Sequence, residues 1–235
     1  VTQTAGNLAT SRITTLSVGG TGQAIELKSA GTITVDSAFD AGNDTLLLDT
    51  TATTQNSDFN NAAASLKSSA GLANSVKLVA TGAITNSGGA TLAIDTLTNH
   101  GNVTLSGTAI GASAKALTLS QGTGSVSATA STGGIFVTQT AGNTLTSKLT
   151  LTASGTGQAI EFKNSAGTIT VDSGYAVGDD TLLLQTTVAN QAINFSGTGS
   201  QLKTTATGAG AVTLNAGGNI ANSGTAALAI DTATN

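Results

Sequence analysis

Short runs in which apolar and polar residues alternate recur along the whole chain, separated by turn-forming Gly, Asn, Ser and Asp residues. A period of two indicates strands that bury one face. The predicted strands of the N-terminal part are Ile13–Val18, Ala24–Leu27, Thr32–Val35, Thr45–Leu48, Ser65–Lys67, Ser75–Ala80, Ala83–Thr85 and Thr91–Thr96. Those of the middle are Asn102–Gly107, Ala116–Gln121, Ser125–Ala128 and Gly134–Val137. Those of the C-terminal part are Leu149–Ala153, Ala159–Phe162, Thr168–Val171, Thr181–Leu184, Ala192–Phe195, Ala211–Ala216 and Ala227–Thr232.

The pattern predicts no stable helix. The best candidate is the Ala-rich segment Asn60–Ala73. Its counterpart later in the chain, Asn194–Gly210, carries Gly and Thr, which are poor helix formers. We therefore expect an all-β protein.

An internal repeat organises these strands. VTQTAGN at Val1–Asn7 returns at Val137–Asn143, an offset of 137 − 1 = 136 residues. The same register relates Ala93–Asn99 to Ala229–Asn235. TGQAIE returns one residue out of step, and Asn164 reads as the inserted residue that restores the register. Such a period has to be interpreted before any local motif.

The repeat divides the chain into two β-helical copies. Residues 1–136 form the first copy, in which 1–99 have a counterpart and 100–136 are connecting coils. Residues 137–235 form an incomplete second copy. Because the chain opens and closes inside the repeat, we expect it to be part of a longer array or a processed product.

Composition favours a hydrogen-bonded fold over disorder. The chain contains no Pro, 39% hydrophobic residues and a net charge of only −4. Disordered chains combine low hydrophobicity with high net charge and abundant Pro. Pro removes a donor from a strand ladder, so its absence suggests that nearly every backbone N–H has a partner.

Two architectures fit short strands with short connections: a right-handed parallel β-helix and a string of β-sandwich modules. Sandwich cores rely on large buried aromatics. Here the inward positions read as Val, Ile, Leu and Ala, and the outward positions as Thr and Ser. The pattern therefore favours the β-helix, with coils of ~20–30 residues. Each repeat would hold about five or six coils and span roughly 25–30 Å.

Charge and hydropathy exclude two classes of function. With only 8 Lys and Arg residues, the chain lacks the basic footprint that nucleic acids require. No apolar run approaches the ~18–20 residues of a membrane span. Glu26 with Lys28, and Glu161 with Lys163, are predicted to form exposed ion pairs.

One motif raises the question of a metal. AGNDTLLL at Ala41–Leu48 and VGDDTLLL at Val177–Leu184 look like single units of a calcium-binding nonapeptide. Calcium takes several oxygen ligands, and the candidates would be Asp40, Asp44, Asp179 and Asp180. Because that site is shared between successive turns and the motif occurs once per repeat, the sequence favours a tight turn. No other metal and no organic cofactor is predicted.

Nothing in the sequence indicates catalysis. The 12 acidic and 8 basic residues are spread over the chain rather than clustered. His100 is the single histidine, which favours an exposed turn residue, and no G-x-S-x-G nucleophile motif is present. We therefore expect no catalytic residues.

Three segments carry a family resemblance: Gly101–Gly111, Ala80–Thr96 and Asn215–Thr232. Their GN-hydrophobic-x-L and G-x-I-x-N-x-G patterns resemble the filamentous-haemagglutinin-like large exoproteins of bacteria. The resemblance implies a β-helical stalk, secretion, display at the cell surface, and adhesion or filament formation.

We therefore expect a structural segment of an extracellular bacterial filament or surface adhesin. Its partners would be further repeats, another copy bound head to tail, or a glycan or protein on a host or neighbouring cell. A carbohydrate-binding module is the alternative, and it would need exposed rings at Phe39, Tyr175, Phe59 or Phe195. A β-helix polysaccharide lyase or hydrolase is disfavoured because no charged cluster is present.

Overall fold

The protein is a parallel β-solenoid of about nine turns with almost no helix. The computed structural model describes residues 1–13, 16, 20–207, 209–225 and 229–232. Most of the predicted strand Ile13–Val18 lies outside the described residues, as does part of Ala227–Thr232. The sense of the winding stays a prediction.

Twenty-six short strands and three single 3₁₀ turns make up the described part of the chain. The strands are β1 (Thr2–Gln3), β2 (Leu8–Ala9), β3 (Ala24–Ser29), β4 (Ile33–Val35), β5 (Ala38–Asp40), β6 (Thr45–Thr50), β7 (Ser57–Phe59), β8 (Ser65–Lys67), β9 (Val76–Val79), β10 (Ile84–Thr85), β11 (Ile94–Asp95), β12 (Val103–Gly107) and β13 (Leu117–Ser120). They continue with β14 (Val126–Ala130), β15 (Ile135–Gln139), β16 (Thr144–Leu145), β17 (Leu149–Ala153), β18 (Ala159–Asn164), β19 (Ile169–Val171), β20 (Gly174–Ala176), β21 (Thr181–Thr186), β22 (Ile193–Phe195), β23 (Gln201–Lys203), β24 (Val212–Asn215), β25 (Ile220–Asn222) and β26 (Ile230–Asp231). The 3₁₀ turns are Thr10–Arg12, Leu97–Asn99 and Thr146–Lys148.

Strands from successive coils pair in parallel, each coil lying directly above the previous one. One ladder runs through Thr2, Lys28, Asp49, Val79, Ser106, Thr129 and Thr152. Its steps range from 49 − 28 = 21 to 79 − 49 = 30 residues, which are the lengths of the coils. This stacking confirms the predicted solenoid and excludes sandwich modules, whose sheets are antiparallel.

The core lies inside the coils as vertical stacks of like side chains. One stack consists of Leu27, Leu48, Leu78, Leu105, Ala128 and Leu151. A second consists of Ile84, Ile110, Ile135 and Ile160. Burying one such side chain stabilises the fold by about 1.5–3 kcal/mol. The apolar alternation read from the sequence therefore corresponds to the inward face of each coil.

The interior is less uniform than the sequence pattern suggested. Phe59 and Phe162 are fully buried, which corrects the expectation of a purely aliphatic core. Buried polar residues also stack where strands end, and Gln139, Asn164 and Thr186 form one such ladder. These side chains bind backbone groups that the turning chain leaves without ladder partners, and buried polar groups require such bonds.

The extra residue of the second copy does not lie where the sequence placed it. Asn164 occupies the position of Ser29 at the end of its strand, and both are fully buried. Ser29 Oγ accepts a hydrogen bond from Gly31 N, and Asn164 Oδ1 accepts one from Gly167 N. The inserted residue therefore lies in the turn after Asn164, and the longer Asn side chain spans the longer turn.

The repeat is not a whole number of coils. The ladder that starts at Thr2 reaches Thr129 after five steps, but the counterpart of Thr2 is Thr138, 138 − 129 = 9 residues further on. Equivalent strands consequently lie in different sheets. β3, β6 and β9 share a sheet with β12, β14 and β17, whereas β18, β21 and β24 stack on β15 and β13. Each copy is therefore rotated about the axis relative to the previous one.

Close contact between coils predicts which glycines can be replaced. A Cβ atom at Gly88 would lie 2.0 Å from the backbone of Asn60 and Asn61 in the coil below. Gly88→Ala should therefore lower the free energy of unfolding by about 2–3 kcal/mol or more, measured by urea denaturation. Gly199→Ala is the matched control, since nothing lies within 4 Å of its Cβ position, and it should be neutral or stabilising by up to about 1 kcal/mol. Equal effects of the two substitutions would contradict the proposed coil spacing.

Candidate functional site

The two acidic turns that suggested calcium have the same geometry in both copies. Gly42 and Gly178 adopt positive φ, which allows the tight turn that precedes Asp44 and Asp180. Asp44 Oδ1 accepts a hydrogen bond from Gln23 N at 2.9 Å, and Asp180 Oδ1 accepts one from Gln158 N at 2.8 Å. The predicted turn is confirmed, with Gly rather than Asn or Asp as the residue of positive φ. Each carboxylate fastens its turn to the coil below.

The other two calcium candidates do not join these carboxylates in a common site. Asp40 accepts a hydrogen bond from Gly42 N and lies 3.5 Å from Lys67 Nζ. Asp179 replaces Asn43 in the second copy and is exposed. Within the described ranges, no three His, Asp or Glu side chains lie close enough together to hold a metal ion. Calcium binding stays a prediction, without a ligand cluster in this part of the chain.

Asp180 differs from Asp44 in one respect. Its Oδ2 atom is buried and has no hydrogen-bond partner. Burial raises the pKa of Asp180, the bond from Gln158 N opposes that rise, and the neighbouring charge of Asp179 adds to it. A buried acceptor without a partner costs free energy, so the ionised form of this side chain destabilises the second copy.

A second set of carboxylates was not predicted as a motif. Asp36 accepts hydrogen bonds from Ser11 N at 2.8 Å, Ser11 Oγ at 2.5 Å and Thr10 Oγ1 at 3.1 Å. Asp172 receives the same three bonds from Ser147 and Thr146 at 2.9, 2.5 and 3.1 Å. The signal in the sequence was a Thr-Ser pair 25 residues before a Val-Asp pair in both copies. These clusters fasten a 3₁₀ turn to the next coil.

The donors around these two carboxylates shift their pKa. Desolvation would raise the pKa of Asp36 and of Asp172, but the bonds from the Ser and Thr hydroxyls and the Ser N–H together lower it. Hydrogen bonds to the charged form favour that form. Both carboxylates are therefore structural clamps that work best when ionised.

The aromatic rings do not form an exposed platform. Phe39, Tyr175, Phe59 and Phe195, on which the carbohydrate-binding alternative depended, are all buried in the core. Phe136 points outward from β15 and is half-buried, and sequence reasoning did not consider it. A single half-covered ring offers less stacking surface than a platform of several rings.

Two ion pairs were predicted from the sequence. Glu26 and Lys28 are 3.3 Å apart, and Glu161 and Lys163 are 3.2 Å apart, which confirms that both pairs form. The first pair is exposed as predicted, but the side chains of Glu161 and Lys163 are only 19% and 25% exposed. An exposed pair contributes about 0–1 kcal/mol. His100 is exposed in a left-handed turn, as predicted. In the described part of the chain, no helix is long and apolar enough to span a bilayer.

The last described coil has exposed apolar side chains. β24, β25 and β26 are the last described strands of their sheets. Ile220 and Ile230 point along the inward ladders but are 52% and 41% exposed. Apolar side chains at the end of a solenoid need a cap or another coil.

Because Asp36 and Asp172 hold their turns most strongly when ionised, we expect the stability of the fold to fall in acid. Because the pKa of Asp36 and Asp172 is lowered in the folded state, their stabilisation is present above the ordinary value of 3.8 and is lost as pH falls through the folded pKa. The double variant Asp36→Asn/Asp172→Asn should therefore be less stable at pH 7, by about 1 kcal/mol per site, and should lose less stability below about pH 4. Urea denaturation across this range measures both effects. Asp49→Asn, on an outer face, is the control, and a double variant with the wild-type pH profile would refute the assignment.

For Asp180 we expect the opposite dependence of stability on pH. Its raised pKa means that its stabilisation is present below the ordinary value of 3.8 and is lost as pH rises through the folded pKa. Asp180→Asn keeps an acceptor for Gln158 N and should raise stability at pH 7 by about 1 kcal/mol, whereas Asp180→Ala should lower it by about as much. Asp44→Asn is the matched control and should change stability less. A loss of stability in Asp180→Asn, together with loss of a calcium-dependent rise in Tm, would instead indicate a bound cation.

Comparison with protein-family models, with curated proteins and with solved structures finds no match to this chain. The resemblance to filamentous-haemagglutinin-like exoproteins therefore stays an expectation. The fold and the geometry of the described residues are the basis for a functional proposal.

Proposed function

We propose that this chain is a structural segment of an extracellular bacterial filament or large surface adhesin, in which stacked coils form a stiff rod. The observation that carries the proposal is the uninterrupted stacking of coils across the junction between the two copies. β14, before the junction, pairs with β17, after it, over five residues from Val126↔Leu149 to Ala130↔Ala153. The rod therefore continues from one copy into the next without a hinge.

The outer surface supports a passive role. On the sheet of β12, β14 and β17, the outward side chains form two rows of hydroxyl groups: Thr104, Ser127 and Thr150, and Ser106, Thr129 and Thr152. Uncharged hydroxyl rows remain hydrated without strong attraction to charged partners. Charged side chains are few, and those of Glu26 with Lys28 and of Glu161 with Lys163 pair with close neighbours, whereas an enzyme would concentrate its charges around a substrate.

The orientation of the hydrogen bonds supports a load-bearing role. In a solenoid, the bonds between coils run parallel to the axis, so a pull along the rod loads many bonds and the core contacts together. The hydroxyl and carboxylate clamps at the corners add bonds between the same coils. A segment of this kind can hold a distal adhesive region away from a cell surface.

Electron microscopy tests the proposal. A chain built from three consecutive copies of residues 1–136 followed by 1–99 should form rods of constant width. Each added copy should lengthen the rod by about 26 Å, the rise of five coils and part of a sixth at ~4.8 Å per coil. The same spacing is expected in filaments of native material. Flexible chains of separate beads would refute the proposal and would favour independent modules.

A further inference from the structure

The strands of the last coil have a covered equivalent inside the same molecule. By the internal repeat, β24, β25 and β26 correspond to β9, β10 and β11. Ile84 and Ile94 in the first copy are fully buried, whereas their equivalents Ile220 and Ile230 are 52% and 41% exposed. The residue type and the inward direction are the same. The difference is the presence of a further coil above β9, β10 and β11.

The covering coil in the first copy is formed by residues 102–120. Val103 and Leu105 pair with Val76 and Leu78 of β9. Ile110 forms a bridge with Ile84, and Leu119 pairs with Ile94. These four residues complete the inward stacks, and each is fully or almost fully buried. The first copy therefore specifies the side chains that fit the surface repeated at β24, β25 and β26.

Backbone hydrogen bonds join the covering coil to β9 and β10 in the same register as the side-chain stacks. Val76 N donates to Asn102 O at 3.3 Å, Ala80 N to Ser106 O at 2.8 Å, and Ile84 N to Ala109 O at 2.9 Å. The equivalent amides in the last coil belong to Val212, Ala216 and Ile220. These three amides should bind a coil whose carbonyl groups have the spacing of residues 102, 106 and 109.

We infer that the open face of β24, β25 and β26 is a docking surface for a coil with the sequence of residues 100–121. The inference rests on the proposed function and identifies the partner surface of that rod. The apolar positions of the partner follow Val103, Leu105, Ile110 and Leu119, and its hydrogen-bond acceptors follow Asn102, Ser106 and Ala109.

The first coil of another copy is a poorer occupant. Its leading strand is β1, whose repeat equivalent is Thr138–Gln139 in β15. Those residues stack on β13, at Thr118 and Leu119, and not on β9, β10 or β11. Within the described residues, the first copy shows the 100–121 coil on the equivalent surface, and no strand equivalent to β1 lies there.

Amide hydrogen exchange tests the inference. One protein carries a second copy of residues 100–136 joined after Asn235. Its matched control carries the same addition with Leu105→Asn and Ile110→Asn in the added copy only. We expect the amides of Val212, Ala216 and Ile220 to exchange at least tenfold more slowly in the first protein than in the control, measured by NMR. The amides of Val76 and Ile84 should exchange equally in both and report that the rest of the solenoid is intact.

Two outcomes would overturn the inference. Equal exchange at Val212, Ala216 and Ile220 in the two proteins would show that the added coil does not dock. Protection of these amides in the original 235-residue chain that rises with concentration would identify a second copy as the occupant. Neither outcome depends on the length of rods in the electron microscope, so this inference can fail while the proposed rod stands. Beads in place of rods would refute the proposed function itself.

Discussion

The parallel hydrogen-bond ladder between successive coils is the constraint on which the rest of the structure depends. It requires each coil to place a strand directly above the strand of the previous coil, whatever the length of the connections. Coils of 21 and of 30 residues are accommodated in one ladder because the additional residues lie in the corners. The ladder also requires an N–H at nearly every position, and the chain contains no Pro.

Polar side chains lie at the corners of the coils, where the chain turns between strands, and hydrogen-bond the backbone there. A turning backbone leaves N–H and C=O groups that no adjacent strand can satisfy. Asn164 satisfies several of them at one corner, bonding to Gly142 O, Thr144 Oγ1, Ala166 N and Gly167 N. Asp36 and Asp172 act in the same way at another corner. Acidic residues that could suggest metal binding or catalysis therefore act mainly as connections between coils.

The rotation between copies changes the direction in which each surface motif faces. Because a repeat advances the chain by five coils and nine residues, the same outward motif faces a different direction in each copy. Glu26 and Lys28 project from the sheet of β3 and β6, whereas Glu161 and Lys163 project from that of β18 and β21. A longer array would distribute each motif around the axis rather than along one side.

The sequence alone determined the class of fold, because alternation and turn residues are local signals and the internal repeat can be read directly from the residues. It located β8 and β17 to the residue, but β2 and β7 were missed. β2 is only two residues long, and in β7 the first inward residue is Ser57, so neither shows apolar alternation. Only the tertiary structure decided how far one copy is rotated about the axis relative to the other, because coil lengths vary and register depends on which strands pair. It also decided that Asp180 has a buried unpartnered oxygen and that Ile220 and Ile230 are exposed, because burial depends on the coils above and below a residue.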